Sequence, residues 1–427
     1  MKRVGVIGAG AAGLCAARHL AARPEFFIFT VFEQTGDVGG TWCYQDNVGT
    51  DEFGLPVHSS MYKNMRTNLP KEIMGFPDFP FPENEGGSFI HHSKVLGYLQ
   101  KYAKYFDLIK YVQFYSHILE VKPVTVDRSH LHWEVKVKNL RSRESTQHIF
   151  DAIMVCNGRY ACPSFPDIKG LESFPGWVIH SHDYRSNVPY KGKRVVVLGA
   201  GPSGVDISVE LAEVAEQVIL SHNMNKKFLE KCPQNFSEEV GISKVTQSTV
   251  RFLNGREFET DVLILCTGYN YDVSFLHPDC KVFVQDQRMQ PLYKHLIHIE
   301  FPTLAIFGVL KTILPFPIYH QQVLLFLRVL DGSVILPSES EMKEDEKADF
   351  DLRMQMGLPS RYAHKMTRDL QWNYDDVISK IGKFSPIPKV VRDLYNHIND
   401  VRQKNPIDYK DHCYKIVNNS TFLKLED

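Results

Sequence analysis

Short runs of β-branched residues alternate with helix-forming residues at the start of the chain. Val4, Val6 and Ile7 predict a short buried strand, and residues 14–22, rich in Ala and Leu, predict a helix. A second apolar run at residues 29–32 predicts another strand. Strand, helix and strand in this order are typical of a parallel βαβ unit.

The turn between the first strand and the helix has the G-x-G-x-x-G spacing of a dinucleotide fingerprint. Its candidate cofactor-binding residues are Gly8, Ala9, Gly10, Ala11, Ala12 and Gly13. The first two glycines permit a tight turn and the approach of a pyrophosphate, and the third lets helix and strand pack closely. Glu33 ends the second strand, 20 residues after Gly13. A carboxylate there binds a ribose 2′-OH and repels a 2′-phosphate, which favours FAD or NAD.

A second glycine-rich turn follows Glu33 and is predicted to fold back over this nucleotide site through Gly40, Thr41 and Trp42. Residues 93–106 predict a helix that Ser93 can cap. Alternating apolar positions predict strands at residues 114–121, 131–137 and 149–155. The last of these strands leads into a turn at Asn157 and Gly158.

The opening motif then returns at residues 193–204, as a strand, a glycine turn and the start of a helix. Its candidate cofactor-binding residues are Gly199, Gly201, Pro202, Ser203, Gly204, Val205 and Asp206. Two such fingerprints predict two dinucleotides brought together, a flavin and a nicotinamide. Because the second copy lacks an acid like Glu33, as described next, the first site is assigned to FAD.

The second βαβ unit has no acid at the end of its second strand, residues 217–222. Ser221 and His222 stand there instead, and Lys226 and Lys227 follow closely. A missing carboxylate with nearby cations fits a 2′-phosphate and hence NADPH. The alternative is that the two lysines belong to a solvated loop.

Later apolar runs predict strands at residues 258–268 and 303–307, a helix at residues 318–330 and a charged helix at residues 338–356. The fold class that follows is α/β, with two Rossmann-like dinucleotide-binding domains, for FAD and NADP, of a three-layer ββα type. Residues 1–162 and 276–427 are predicted to form the FAD domain, and residues 163–275 the NADPH domain.

Composition mainly excludes other classes of protein. The net charge of −1 creates no field that attracts nucleic acid. The eight cysteines have no zinc-site or C-x-x-C spacing and fit a reducing compartment, so a cytoplasmic location is expected. His91, His92 and His320 have no evident ligand partners in the sequence, so no metal site is predicted. Because the first strand begins at residue 3 and no apolar run is long enough, neither a leader nor a membrane span is expected.

The segment between the two fingerprints carries the most specific signature. Phe174, Gly176, His180 and Tyr184 match F-x-G-x-x-x-H-x-x-x-[YF]. With the two fingerprints, the Gly-Gly-Thr-Trp turn and the Cys-Thr-Gly-Tyr sequence at residues 266–269, the chain resembles the flavin-containing monooxygenases over nearly its whole length. The final Tyr184 favours the branch that oxygenates nitrogen or sulfur over the Baeyer–Villiger enzymes. A proton-transfer role for His180 is disfavoured against a structural one.

The resemblance also implies an active-site asparagine at Asn68, flanked by Thr67 and Leu69 in the cofactor site. Taken by itself, Asn68 would be a turn residue before Pro70. In the family, the helix that contains residues 318–330 points its N-terminus towards the flavin ring. Gln321 and Gln322 at its start are therefore candidates for a flavin contact, and Gln322 is predicted to be the cofactor-binding residue.

The activity implied by the resemblance is the oxygenation of small soft nucleophiles. NADPH would reduce FAD, O2 would form a C4a-hydroperoxyflavin, and a tertiary amine, alkaloid or sulfide would attack its distal oxygen. The short second domain resembles the compact insect, yeast or bacterial forms, with insect alkaloid N-oxygenases as one candidate. Two alternatives stay open, an NADPH oxidase or reductase that makes H2O2 and a non-catalytic redox sensor. A homo-oligomer is compatible with the sequence.

Overall fold

The computed structural model describes residues 1–83, 85–127, 130–223 and 232–425 of the chain. Its helices are α1 (Ala11–Ala21), α2 (Lys71–Met74), α3 (His92–Tyr105), α4 (Pro202–Ala212), α5 (Pro315–Leu330), α6 (Glu339–Gln355), α7 (Arg368–Gly382) and α8 (Lys389–Lys404). None of these helices, which lie within the described ranges, has the length and apolar character needed to cross a membrane.

The strands of the first half are β1 (Lys2–Ile7), β2 (Phe27–Phe32), β3 (Val112–Gln113), β4 (Ser116–Asp127), β5 (His130–Asn139), β6 (Ser145–Phe150), β7 (Ala152–Val155), β8 (Cys162–Pro163), β9 (Trp177–His180), β10 (Arg194–Leu198) and β11 (Gln217–His222). Those of the second half are β12 (Phe236–Val240), β13 (Ile242–Val245), β14 (Thr249–Phe252), β15 (Glu257–Glu259), β16 (Val262–Leu265), β17 (Tyr269–Asn270), β18 (Phe283–Gln285), β19 (Arg288–Gln290), β20 (Leu292–Tyr293), β21 (Ile297–His298), β22 (Leu304–Ile306), β23 (Cys413–Asn418) and β24 (Thr421–Leu425).

The first fingerprint lies in a seven-stranded sheet of order β20-β21-β22-β7-β1-β2-β3. Strands β22, β7, β1, β2 and β3 run parallel. The glycine turn follows β1. In the sheet, β1 lies between β2, to which the chain continues through α1, and β7, which comes much later in the sequence. Such a switch point leaves a crevice at the carboxyl ends of the strands, where ligands bind.

Apolar side chains cover both faces of this sheet. On one face α1, α3 and α5 pack through residues such as Leu14, Leu99 and Phe326. On the other face the antiparallel sheet β4-β5-β6 packs through residues such as Val121 and Trp133. The arrangement is antiparallel sheet, parallel sheet, helices, which is the predicted three-layer form.

The second fingerprint lies in a five-stranded parallel sheet of order β12-β11-β10-β16-β9. Helix α4 packs on one face through Ile207 and Leu211. The antiparallel sheet β13-β14-β15 packs on the other through Val250 and Phe252. The two halves therefore repeat one architecture, and the predicted α/β class with two Rossmann-like folds is confirmed.

Two segments expected as single strands are each broken by an aspartate. Residues 149–155 divide between β6 and β7 at Asp151, and residues 258–268 divide between β15 and β16 near Asp261. The Asp151 carboxylate accepts a hydrogen bond from the backbone N–H of Arg3 at 2.7 Å, and Asp261 accepts one from Arg194 at 2.8 Å. Each aspartate stands just before the first residue of a strand of the parallel sheet and bonds to the neighbouring strand. The residues before it belong to the antiparallel sheet.

Some helix ends differ from the expected ones. The helix expected from Ser93 begins at His92, and the His91 side chain accepts a hydrogen bond from the Ser93 N–H. The helix expected from residue 318 begins at Pro315, because proline is well suited to the first turn of a helix. The charged helix α6 begins with a capping box formed by Ser338 and Glu341.

Candidate functional site

The first glycine turn has no space for side chains at two positions. Gly8 has a φ of 99°, and a Cβ there would lie 2.6 Å from the Cys156 carbonyl oxygen. A Cβ on Gly13 would lie 1.8 Å from the Gly8 carbonyl oxygen. Both distances are far below van der Waals contact, so glycine is required for α1 to start directly against β1 and β7.

The N-terminus of α1 is suited to an anion. Gly10 is its N-cap residue, with no side-chain cap and no acidic residue in the first turn. The N–H groups at the start of the helix, from Ala11 and Ala12 onwards, therefore carry the positive end of the helix dipole without a competing carboxylate. Such an arrangement is suited to a pyrophosphate.

Glu33 is buried, with 6% of its surface exposed. One carboxylate oxygen accepts a hydrogen bond from the Ala9 N–H at 2.7 Å, and the other accepts from the N–H and hydroxyl of Thr35 at 2.9 and 2.8 Å. These contacts fix the carboxylate beside the glycine turn. Each oxygen has two lone pairs, so a ribose hydroxyl can still be accepted.

The second glycine-rich turn folds back over the first, as expected. The Gly39 N–H donates to the Ala9 carbonyl at 3.0 Å, and a Cβ on Gly10 would lie 3.5 Å from the Gly40 Cα. Ser59 donates to the Thr41 carbonyl at 2.8 Å, and Trp42 packs against the core of the first domain. The Thr41 hydroxyl is buried without a hydrogen-bond partner among the described residues, which fits a ligand at this position.

Asn68 lies in a loop that its neighbours hold in place. Thr67 and Ile90 exchange hydrogen bonds, with the Thr67 N–H donating at 2.8 Å and the Thr67 hydroxyl accepting at 3.1 Å. Leu69 is buried next to it. The Asn68 side chain is half-buried and makes no hydrogen bond within the described part of the chain. The backbone next to Asn68 is therefore fixed, while its side-chain amide keeps a donor and an acceptor for a ligand.

Gln322 is also available to a ligand through one atom. It is 1% exposed, and its amide nitrogen donates to the Tyr374 hydroxyl at 2.8 Å. Its amide oxygen is buried and has no partner among the described residues. Gln321 differs, because its amide donates to the Ser385 carbonyl at 3.0 Å.

The second glycine turn repeats the first. Gly199 has a φ of 108° and a Cβ there would lie 2.5 Å from the Cys266 carbonyl oxygen, while a Cβ on Gly204 would lie 1.7 Å from the Gly199 carbonyl oxygen. Gly201 is the uncapped N-cap of α4, and a Cβ on it would meet nothing within 4 Å in the described structure. Beside it, Pro202 opens the first turn of α4, followed by Ser203 and Val205. The space above Gly201 fits a second pyrophosphate.

The face of α4 holds the two domains together. The Asp206 carboxylate accepts a hydrogen bond from the Tyr62 hydroxyl at 3.1 Å and pairs with Lys410. One turn later Glu210 accepts from Asn64 at 2.8 Å and from the Tyr184 hydroxyl at 3.0 Å. Asp206, predicted as cofactor-binding, thus makes interdomain contacts with its carboxylate.

The residues predicted for the 2′-phosphate face other partners. Ser221 is buried and donates to the Val240 carbonyl at 2.8 Å. His222 is buried and its Nε2 lies 2.9 Å from a Glu238 carboxylate oxygen. Lys226 and Lys227 lie outside the described residues.

The signature segment forms the last strand of the second parallel sheet, β9, and then continues towards α4. His180 is 1% exposed, its Nδ1 accepts a hydrogen bond from the His182 N–H at 3.1 Å, and burial lowers its pKa to about 4. The ring of Phe174 would lie 2.5 Å from a Cβ on Gly176, so this glycine is required for packing. Tyr184 is fully buried and reaches α4 through Glu210.

His320 has a neighbour that its sequence position does not reveal. Its Nδ1 lies 3.2 Å from the Nε2 of His19, and the Cys15 sulfur lies within 4.8 Å of both ring nitrogens. Expecting no ligand partners for His320 was therefore wrong. Burial holds the pKa of His19 far below its usual value, and the charges of Arg18 and Arg23 lower it further.

Sequence reasoning did not single out Arg159 and Lys311. Arg159 follows β7 and donates to the Leu310 carbonyl at 2.9 Å, next to Lys311, which follows β22. The available signal was that each cation comes shortly after a predicted strand end, where ligands bind in parallel sheets. Nothing in the sequence indicated that the two strands are neighbours.

Comparison with known proteins agrees with this geometry. A sequence model of the family described as flavin-binding monooxygenase-like matches residues 1–236 and 237–393. The chain belongs to that family. This confirms the resemblance found in the sequence, the assignment as a flavin monooxygenase, and FAD and NADPH as the cofactors at the level of the family.

Two relatives cover nearly all of this flavin monooxygenase. Flavin-containing monooxygenase FMO GS-OX-like 2 of Arabidopsis thaliana is 37% identical over 411 residues, which span 91% of this chain and 86% of the relative. The structure of S-allyl-L-cysteine S-oxygenase from Allium sativum has a TM-score of 0.89 at 34% identity, covering 96% of this chain and 95% of that one. OTEMO, solved in complex with FAD and NADP, shares the fold with a TM-score of 0.58 at 17% identity over 82% of this chain.

Proposed function

We propose that this chain is an FAD- and NADPH-dependent monooxygenase that transfers one oxygen atom of O2 to the sulfur of small sulfides. The observation that carries the proposal is the full-length likeness to an S-oxygenase, at 34% identity, together with two glycine turns of the same geometry. For each turnover NADPH, a proton, O2 and a sulfide would give NADP⁺, water and a sulfoxide. Tertiary amines and alkaloids, which are also soft nucleophiles, are the second substrate class to test.

The residues at the first turn fit FAD. The helix N-terminus at Gly10 would bind the pyrophosphate and Glu33 the ribose, while the unpaired Thr41 hydroxyl and Gln322 amide oxygen are available to the rest of the cofactor. We propose residues 1–162 and 276–427 as the FAD domain. When bound, FAD supplies the electron transfer and the oxygen activation, and the protein orients it and excludes water.

The second turn fits NADPH. Its pyrophosphate would bind at the uncapped N-terminus of α4, above Gly201. β11 ends in Ser221 and His222 rather than in an acid, and the Glu238 carboxylate on the neighbouring strand is paired with His222. We propose residues 163–275 as the NADPH domain, with the segment that contains Lys226 providing the contact to the 2′-phosphate.

Asn68 is proposed as the side chain that acts beside the flavin. Its half-buried amide has no hydrogen bond to the described protein, while Thr67 fixes the backbone before it. An amide donor held in this way can hydrogen-bond to a group that gains negative charge during the reaction. The scattered cysteines of the sequence support a reducing compartment such as the cytoplasm.

The test is product analysis with isotopic oxygen. The purified, FAD-loaded enzyme is given NADPH, 18O2 and either S-allyl-L-cysteine or a tertiary amine, and sulfoxide, N-oxide and H2O2 are measured against NADPH consumed. We expect one 18O atom in the sulfoxide and one NADPH per product. Stoichiometric H2O2 without an oxygenated product would identify an NADPH oxidase instead. Protein that binds no flavin would overturn both activities and leave a nucleotide-binding role.

A further inference from the structure

Two cations lie side by side at the carboxyl edge of the FAD-domain sheet. Arg159 comes four residues after β7 ends at Val155, and Lys311 comes five residues after β22 ends at Ile306. The two strands are parallel neighbours, with Val155 paired with Ile306. Both side chains therefore start from the edge at which parallel sheets bind their ligands.

The partners of both cations are neutral. The guanidinium of Arg159 donates to the Leu310 carbonyl at 2.9 Å and to the Tyr160 hydroxyl at 2.6 Å. The ammonium of Lys311 donates to the Gln287 side-chain oxygen at 2.9 Å and lies 4.7 Å from the centre of the Tyr271 ring. No carboxylate forms an ion pair with either cation in the part of the chain that the structure describes.

The positive charge at this position is not compensated. Burial, together with a smaller effect of the neighbouring Arg159, lowers the pKa of Lys311 to about 8. The adjacent phenols supply no negative charge, because burial raises the pKa of Tyr319 to about 12 and that of Tyr271 above its usual value. Cations withdrawn from water are ordinarily paired, since removing a charge from water is costly.

The pair also faces the second domain. Tyr160, which Arg159 contacts, is 41% exposed, and its ring centre lies 5.3 Å from that of Tyr269. Tyr269 follows β16, at the carboxyl edge of the NADPH-domain sheet. The cations thus lie where the carboxyl edges of the two sheets meet, which is where the two proposed cofactors would come together.

We propose that Arg159 and Lys311 form an anion subsite that binds the carboxylate of a sulfide substrate and so positions its sulfur in the cleft. The proposal rests on the proposed S-oxygenation and adds the substrate class, sulfides with an anionic group such as S-substituted cysteines. A carboxylate accepts two hydrogen bonds from a guanidinium and one from an ammonium, which matches the donors present. The negative charge that the cofactor acquires on reduction is the other anion that this pair could face.

The test compares a substrate acid with its methyl ester. For wild type, Arg159→Gln, Arg159→Lys and Lys311→Gln, the kcat and KM of S-allyl-L-cysteine and of its methyl ester are measured. Their Kd values are measured separately by calorimetry on the FAD-loaded enzyme without NADPH. Arg141→Gln is the matched control, because that guanidinium also donates to a tyrosine hydroxyl, at 2.6 Å from Tyr115, but lies in the turn between β5 and β6.

We expect Arg159→Gln to raise KM and Kd for the acid by about 10- to 150-fold, because glutamine keeps one hydrogen-bond donor but loses the charge and the second donor, with kcat nearly unchanged. The ester should change little, Arg159→Lys should recover part of the affinity, and Arg141→Gln should match wild type. Equal effects on acid and ester, or none, would overturn the subsite. A shifted flavin midpoint potential with unchanged Kd for the acid would also overturn it, and would assign the pair to the cofactor.

The two proposals fail in different ways. If wild type converts neither compound to a sulfoxide, the proposed function is wrong, whatever the binding data show. If both compounds are oxygenated but Arg159→Gln does not change the Kd of the acid, S-oxygenation stands and the subsite is wrong. Flavin content of each variant, measured by absorbance, verifies that the FAD domain has folded.

Discussion

Gly201→Ala should separate folding from NADPH binding. A Cβ on Gly201 meets no atom within 4 Å in the described structure, and the residue has an extended backbone with a φ of −72°, which alanine adopts readily. Alanine is a poorer N-cap than glycine, so the expected cost to folding is about 1 kcal/mol or less. In the complex, however, the methyl group would occupy the space through which the pyrophosphate reaches the N–H groups of α4.

The magnitude follows from the number of hydrogen bonds lost. One hydrogen bond from a backbone N–H to a charged phosphate contributes about 1.5–3 kcal/mol, so losing one should raise the Kd for NADP⁺ by about 10- to 150-fold. Calorimetric titration of the FAD-loaded variant with NADP⁺ measures this Kd without turnover. FAD content and the thermal unfolding midpoint should stay near wild type, because the FAD turn belongs to the other sheet.

Two further substitutions serve as controls for this experiment. Gly97→Ala places a methyl group in equally open space on α3 and should leave NADP⁺ affinity unchanged. Gly204→Ala places a Cβ 1.7 Å from the Gly199 carbonyl oxygen and should lower the stability of the second domain itself. An unchanged Kd for NADP⁺ in Gly201→Ala, with FAD bound, would refute the assignment of this turn to the pyrophosphate.

Three further changes test other parts of the site. Glu33→Arg should abolish FAD retention, because it removes the carboxylate that accepts from the Ala9 N–H and that is proposed to bind the ribose; purified protein with full flavin absorbance would contradict this assignment. Asn68→Ala should keep FAD bound but divert NADPH oxidation towards H2O2, measured as a lower ratio of sulfoxide to NADPH; an unchanged ratio would remove Asn68 from the mechanism. Burial lowers the pKa of His180 to about 4, so its stabilising contribution is present above about pH 6.5 and is lost as the pH falls towards 4. Between pH 7 and 5 this loss is about 2 kcal/mol, and urea unfolding should show a correspondingly smaller pH dependence for His180→Asn than for wild type.

The parts of the site that depend on local sequence could be predicted. Both glycine turns, the acid at Glu33 and the missing acid at Ser221 follow from strand and turn patterns within about 30 residues of one another. The aspartate breaks could not be found in this way, because residues 149–155 are apolar enough for one continuous strand. The break coincides with a contact to a residue far away in the sequence. The Asp151 carboxylate accepts a hydrogen bond from the Arg3 N–H, at the amino end of the parallel strands.

Contacts between distant segments explain the other differences. Arg159 and Lys311 are 152 positions apart and meet only because β7 and β22 are neighbours in the sheet. Cys15 and His19 meet His320 because α1 packs against α5. Asp206 was predicted from its place in the fingerprint, yet its carboxylate contacts Tyr62 and Lys410. A fingerprint predicts what a helix N-terminus binds but not what the exposed side chains of that helix contact.

The contacts on α4 have a mechanical consequence. The same helix that begins at the NADPH turn is tied by Asp206 and Glu210 to Tyr62 and Asn64, and the loop that contains Asn68 follows directly. A hinge rotation that separates the domains would have to break these hydrogen bonds and the ion pair with Lys410. If α4 binds NADP⁺ as proposed, a displacement of the second parallel sheet would pass through these bonds to residues 62–64, a few positions before Asn68, so the two proposed cofactor sites would move as one unit.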